Sequence, residues 1–122
     1  MIGIDLVKTE RIAAMMERFG NRALQRFLRP EEIVLVRRAE TAAGFWAAKE
    51  ACAKALGCGI GSECAFTDII LSKSAKGAPQ LRLAQTVAER FGIIGTSVSI
   101  SHDGAYAVAV VALEKKAPAS TT

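Results

Sequence analysis

Ile2, Ile4 and Leu6 alternate with Gly3, Asp5 and Val7, a period of two that predicts a short opening strand over residues 1–7. From Thr9 to Phe19 the period becomes helical, with Ile12, Met15, Met16 and Phe19 on the inner side. Gly20-Asn21 interrupts it, and a second short helix is expected to about Leu28, with Leu24, Phe27 and Leu28 inward. Pro30 suits the first turn of a third helix, with Glu31 and Glu32 at its positive end and Arg37-Arg38 at its negative end. An alanine-rich stretch over 42–56 predicts the longest helix, with Thr41 as its cap and Gly57 as its stop. A glycine-rich loop, Gly57-Cys58-Gly59-Ile60-Gly61, follows. Phosphate cradles sit at helix N-termini, so this loop at a C-terminus is a weak one. Strands are expected over 66–72 and, after a Lys76-Gly77 turn, over the edge-like 79–83. A helix over 84–91 ends at Gly92. Residues 96–102 alternate again, with Val98 and Ile100 on one face and Ser97, Ser99 and Ser101 on the other. Asp103-Gly104 signals a hairpin turn into a near-continuous apolar strand over 106–113, expected to lie centrally. A polar tail covers 115–122. The order predicts an α+β fold, an antiparallel sheet packed with a long central helix and shorter helices, as a single domain over 1–114.

The central helix poses the chemical question. At 100° per residue, Phe45, Lys49, Cys52 and Leu56 share one side, Trp46, Glu50 and Lys54 another, and alanines fill the gaps. A helix apolar nearly all round is normally buried. Yet this one carries Lys49, Glu50 and Lys54, and burying an unpaired charge is costly. One reading is an internal Glu50–Lys54 pair at i,i+4, worth about 0.2–0.5 kcal/mol. The other is that Glu50 meets a metal and the lysines meet phosphate. Asp5 is equally out of place inside a strand pattern, on a solvent face or in a site. Gly3 removes side-chain bulk on the same face, so something can approach closely there.

The net charge is +4, and residues 8–29 carry the whole excess through Lys8, Arg11, Arg18, Arg22, Arg26 and Arg29 against Glu10 and Glu17. If the helical phase survives Gly20, the arginines line one face, either solvated or receiving an acidic partner. Aromatic groups do not interleave with them, so nucleic acid is not expected as a partner. No stretch is apolar enough to span a bilayer and no signal-peptide pattern opens the chain, so no membrane partner is expected either. Cys52, Cys58 and Cys64, six apart, fit neither a zinc spacing nor an even disulfide set and predict reduced thiols in a cytoplasmic protein. Of the acidic groups in unlikely places, Asp5 and Glu50 remain. Two carboxylates completed by water and phosphate oxygens suit Mg²⁺, which points to a magnesium-assisted reaction on a phosphate ester. A non-catalytic adaptor for an acidic protein and a magnesium-dependent pyrophosphate hydrolase are the alternatives.

Gly3-Ile4-Asp5, Trp46-Ala47-Ala48-Lys49-Glu50-Ala51 with Lys54, Gly57-Cys58-Gly59-Ile60 and Ser99-Ile100-Ser101-His102-Asp103 together resemble the holo-acyl-carrier-protein synthase family, the small 4′-phosphopantetheinyl transferases. The likeness runs from Met1 to about Glu114. It implies transfer of phosphopantetheine from coenzyme A to a serine of apo acyl carrier protein, releasing adenosine 3′,5′-bisphosphate and serving fatty acid biosynthesis. It implies Mg²⁺ on Asp5 and Glu50, with Glu50 and Lys54 catalytic and Lys54 reaching the pyrophosphate. Coenzyme A would be bound by Lys49, Lys54, Gly57, Gly59, Gly77, Pro79 and His102. The last three would come from a neighbouring chain of a homotrimer. Arg11, Arg22 and Arg26 match the positions that receive the acidic carrier. The sequence departs from the family's habit at Phe45, where arginine is frequent, and at Ala78, where lysine is frequent. Each departure removes a positive charge near the expected nucleotide.

Overall fold

The computed structural model describes residues 1–118. Its elements are β1 (Ile2–Lys8), α1 (Thr9–Phe19), α2 (Asn21–Gln25), α3 (Pro30–Ile33), α4 (Ala39–Leu56), a 3-10 turn at Phe66–Asp68, β2 (Ile69–Lys73), β3 (Pro79–Leu83), α5 (Gln85–Phe91), β4 (Ile93–Asp103) and β5 (Tyr106–Lys115). The architecture is the expected α+β. Three antiparallel strands run in the order β1-β5-β4, and β2-β3 form a separate antiparallel hairpin. The apolar strand β5 is central, and α4 lies across the inner face of this sheet.

That inner face explains the alanines. Ala47, Ala48 and Ala51 are fully buried, and their small side chains let strand backbones come close to the helix. The closest approach is at Gly3. A β-carbon there would stand 1.9 Å from the Ala51 carbonyl oxygen and 2.7 Å from the Ala55 nitrogen. What approaches the bare backbone of Gly3 is therefore α4 itself. The same face of β1 carries Asp5 and Val7 inward, against Ala109 and Ala107 in register on β5.

Ile2, Ile4 and Leu6 point the other way. They are 74%, 59% and 61% exposed, and with Tyr106 and Val110 of β5 they form an apolar outer face of the sheet. β4 adds Ser97, Ser99 and Ser101 to that face and turns Val98 and Ile100 toward the core.

Several boundaries shift for local reasons. α4 begins at Ala39 with Arg38 as its N-cap, so Thr41 lies in the helix and donates its N–H to the Arg38 carbonyl. α2 and α3 are short, because Gly20 adopts φ 59° and ψ −140° and Arg29 leads extended into Pro30. Phe66–Asp68 is a 3-10 turn rather than strand. The tail begins later than expected: Lys115 pairs with Ile93, and the Lys116 N–H donates to the Gly92 carbonyl at 2.6 Å. The last residues of the expected tail, 119–122, lie outside the described residues.

Candidate active site

The close β1–α4 contact brings the two strand and helix carboxylates together. Asp5 looks toward α4 with its side chain 14% exposed, and Lys54 Nζ donates to Asp5 Oδ1 at 2.8 Å and to the Ile4 carbonyl at 3.3 Å. Glu50, one turn before Lys54, is half-buried beside them. Burial first, and then the neighbouring Asp5 charge, push its carboxyl above the ordinary value, while Lys54 and Arg11 pull it back. A half-buried carboxyl whose charge is disfavoured by burial and by a neighbouring carboxylate invites a cation. The internal Glu50–Lys54 pair does not form: Lys54 reaches across to the strand instead.

Arg11 stands at the rim of this site. Its guanidinium lies over the Trp46 ring, 5.3 Å from the centroid, and Trp46 is held in turn by Phe27 and Phe66. The other arginines do not continue a single stripe, because the helical phase is lost at Gly20. Arg22 and Arg26 are exposed, and among the described residues neither forms an ion pair. Arg18 covers Phe19, and Arg29 is bound to Glu31 and to the Thr67 carbonyl.

Lys49 corrects the sequence reading. Its side chain is fully buried, 2.7 Å from Glu32 Oε1, and also donates to the Phe66 carbonyl at 3.1 Å. Glu32 is fully buried too and takes the Arg29 and Leu71 backbone N–H groups as well. Burial pushes the Lys49 ammonium down, and Glu32 opposes that shift. Lys49 thus ties α4 to α3 and β2 and offers nothing to a ligand, because its helical direction points away from Asp5. Sequence reasoning placed Glu32 only at the positive end of a short helix and missed its burial against Lys49, for which the Pro30-Glu31-Glu32-Ile33 run carries no local signal.

Gly57 and Gly59 are likewise reassigned. Gly57 ends α4 at φ 83°, its N–H engaged by the Lys54 carbonyl at 3.0 Å, and the Gly59 N–H donates to the Ala53 carbonyl at 3.2 Å. Their donors close the helix and are not free for phosphate.

Gly77, Pro79 and His102 do come together. With Thr41, Gly44, Phe45, Lys73 and Ile100 they line a groove of about 170 Å³ between the first turns of α4, the β2–β3 turn and β4. His102 Nε2 lies 2.7 Å from the Glu40 carbonyl, which can only accept, so that nitrogen carries the proton. Gly44 makes the approach possible: a β-carbon there would stand 2.9 Å from Ile100 Cγ2 and 3.1 Å from His102 Nε2. Within one chain this groove is separate from the carboxylates. Gly44 and Glu50 stand about 120° apart around α4 and about 9 Å along it.

Residues 1–111 match the 4′-phosphopantetheinyl transferase superfamily. The chain belongs to that superfamily. Two curated relatives are named holo-[acyl-carrier-protein] synthase. The protein from Sulfurimonas denitrificans is 56% identical over 96% of this chain and 97% of its own length. That from Wolinella succinogenes is 59% identical over 95% of this chain and 98% of its own. The crystal structure of Helicobacter pylori holo-[acyl-carrier-protein] synthase in complex with coenzyme A superposes with a TM-score of 0.91, at 49% identity, over 93% of this chain and 100% of that one. Within the phosphopantetheinyl transferase fold, then, Asp5, Glu50 and Lys54 meet where strand and helix touch, and the groove at His102 opens on another side of the same helix.

Among the described residues no helix is long and apolar enough to cross a membrane. Cys52, Cys58 and Cys64 are free. Burial pushes the Cys52 thiol up to about 12 and the Cys64 thiol up to about 11, so both are inert core groups rather than nucleophiles.

Proposed function

We propose that this chain transfers the 4′-phosphopantetheine group of coenzyme A to a serine of an apo acyl carrier protein and releases adenosine 3′,5′-bisphosphate. The observation that carries the reading is the meeting of Asp5, Glu50 and Lys54 at the β1–α4 contact, in a chain 49% identical to a synthase crystallised with coenzyme A.

The donor set fits Mg²⁺. Among the described residues no cluster of three or more His, Cys, Asp or Glu side chains gathers. Asp5 and Glu50 are the two residues that would hold a divalent cation there, and a pair of carboxylate oxygens is the hard donor set that suits Mg²⁺. When bound there, Mg²⁺ supplies charge neutralisation to the pyrophosphate. Lys54 holds Asp5 in place and, being 53% exposed, can turn its ammonium to the leaving phosphate. The carrier serine attacks the β-phosphorus, the bond to the bridging oxygen breaks, and the hydroxyl proton passes to a carboxylate or to water.

Arg11, Arg22 and Arg26 receive the acidic carrier and bring its serine to the rim beside Trp46. Charge reversal there acts on the carrier alone. Arg22→Glu is expected to raise the KM for the carrier about tenfold and to leave that for coenzyme A unchanged. An unaltered carrier KM would make these arginines an ordinary solvated face.

The reading extends to a homotrimer. The outer face built from Ile2, Ile4, Leu6, Tyr106 and Val110 is the kind of contiguous apolar surface that self-association covers. In that arrangement the groove at Gly77, Pro79 and His102 of one copy serves the carboxylates of the next. The cytoplasm is the compartment proposed, and three free thiols suit it.

Incubation with coenzyme A, Mg²⁺ and an apo carrier tests the whole reading. The carrier should gain the mass of one phosphopantetheine. An adaptor would leave both partners unchanged, and a hydrolase would cleave coenzyme A without the carrier.

A further inference from the structure

We infer that Trp46 is a positioning residue for the carrier: its indole face holds the Arg11 guanidinium at the rim of the cleft, ordered in advance for a carboxylate of the incoming protein. The inference rests on the proposed carrier reading and names a residue to which that reading gives no task. Arg11 is exposed, and its guanidinium stands 5.3 Å from the centroid of the Trp46 ring. Among the described residues it forms no ion pair, so its charge is available to a partner.

Packed groups fix Trp46 from behind. The indole is half-buried, one part of it packed and the rest open to Arg11. Phe27, itself fully buried, meets it edge-on with ring centroids 5.0 Å apart, and Phe66 lies at 5.0 Å with its plane tilted by 44°. The Phe66 backbone is tied down in turn, since its carbonyl accepts from the Lys49 ammonium that Glu32 anchors. Arg18 offers the contrast. It covers Phe19, but that ring is 45% exposed at the end of α1, and no aromatic ring of the described residues packs behind it. The benefit of a fixed platform is entropic. A surface arginine gives up rotamer freedom when it pairs with a carboxylate. Trp46 imposes that order in the free protein, so less is lost when the carrier docks. On α4, Trp46 stands one turn before Glu50 on the same side, so the arginine it holds faces the cleft where the carrier serine arrives.

Binding of an apo carrier to the full-length protein and steady-state transfer, measured in a double-mutant cycle, test this role. Trp46→Leu should weaken carrier binding and raise the carrier KM about fivefold, with kcat and the KM for coenzyme A within about a factor of two. Trp46→Phe, which keeps an aromatic face, should recover most of the loss. Trp46→Leu should add no further loss once Arg11→Ala is present, and its whole loss when Arg22→Ala is. Trp46 is the only tryptophan, so its fluorescence reads the contact without touching the packed ring. Its emission should shift on Arg11→Ala and stay in place on Arg22→Ala. An emission unmoved by Arg11→Ala, equal losses in the two arginine backgrounds, or an unchanged carrier affinity in Trp46→Leu would overturn the assignment. Carrier binding with this dependence but no modification by the wild-type protein would reject the transferase reading and uphold Trp46. Carrier modification with Trp46→Leu losses independent of Arg11 would do the reverse.

Discussion

Gly3→Ala is expected to destabilise the protein by roughly 3 kcal/mol, because its new methyl would collide with backbone rather than with a side chain that can turn away. The added carbon would stand 1.9 Å from the Ala51 carbonyl oxygen and 2.7 Å from the Ala55 nitrogen. β1 and α4 can accept it only by moving apart. That movement also separates Asp5 from Lys54 and Glu50, so transfer should fall along with stability. For a chain of this size the melting temperature should drop by about 10 °C. Gly61→Ala is the control, since nothing lies within 4 Å of a β-carbon there and its φ is not in the left-handed range. Equal melting temperatures for the two variants would show that the strand and helix do not pack as closely as described.

Glu50→Gln should do the opposite to stability and worse to activity. The substitution keeps the shape and removes a negative charge beside Asp5. It should leave the melting temperature unchanged or slightly raised, because a neutral amide removes the cost of burying the Glu50 charge and, after that, its repulsion with Asp5. Transfer should fall on the order of a hundredfold or more, since a neutral amide is a poor ligand for a hard cation. A variant that folds and transfers at the wild-type rate would remove Glu50 from the site. The contrast between the two variants matters: one breaks the contact that assembles the site, the other keeps the contact and removes a ligand.

Much of the fold was legible because it is local. Periods of two and of 3.6, together with Gly57, Gly92 and Pro30, mark strands, helices and ends within short windows. The orientation of β1 was legible only in part. Ile2, Ile4 and Leu6 make the more apolar face, so alternation alone would favour turning them inward, whereas they face outward and Gly3, Asp5 and Val7 face the helix. Lys49 shows the limit most clearly. It and Lys54 lie on different sides of α4, and the phase alone does not tell that one meets Glu32 while the other meets Asp5. Only tertiary packing separates a structural cation from a functional one. Gly44 did leave a signal. A glycine inside a helix costs about 1 kcal/mol relative to alanine, which asks for a reason, and the reason is the close passage of Ile100 and His102. The groove itself draws on α4, the β2–β3 hairpin and β4, three segments no local pattern joins.

The decisive measurement is a titration of Mn²⁺, read by electron paramagnetic resonance as a stand-in for Mg²⁺, into the wild-type protein with coenzyme A present. Asp5→Asn and Glu50→Gln are titrated in parallel. The account predicts one bound ion per chain in the wild type, weakened as pH falls because protons compete for the raised Glu50 carboxyl, and lost in both variants. Binding in either variant as tight as in the wild type would contradict it.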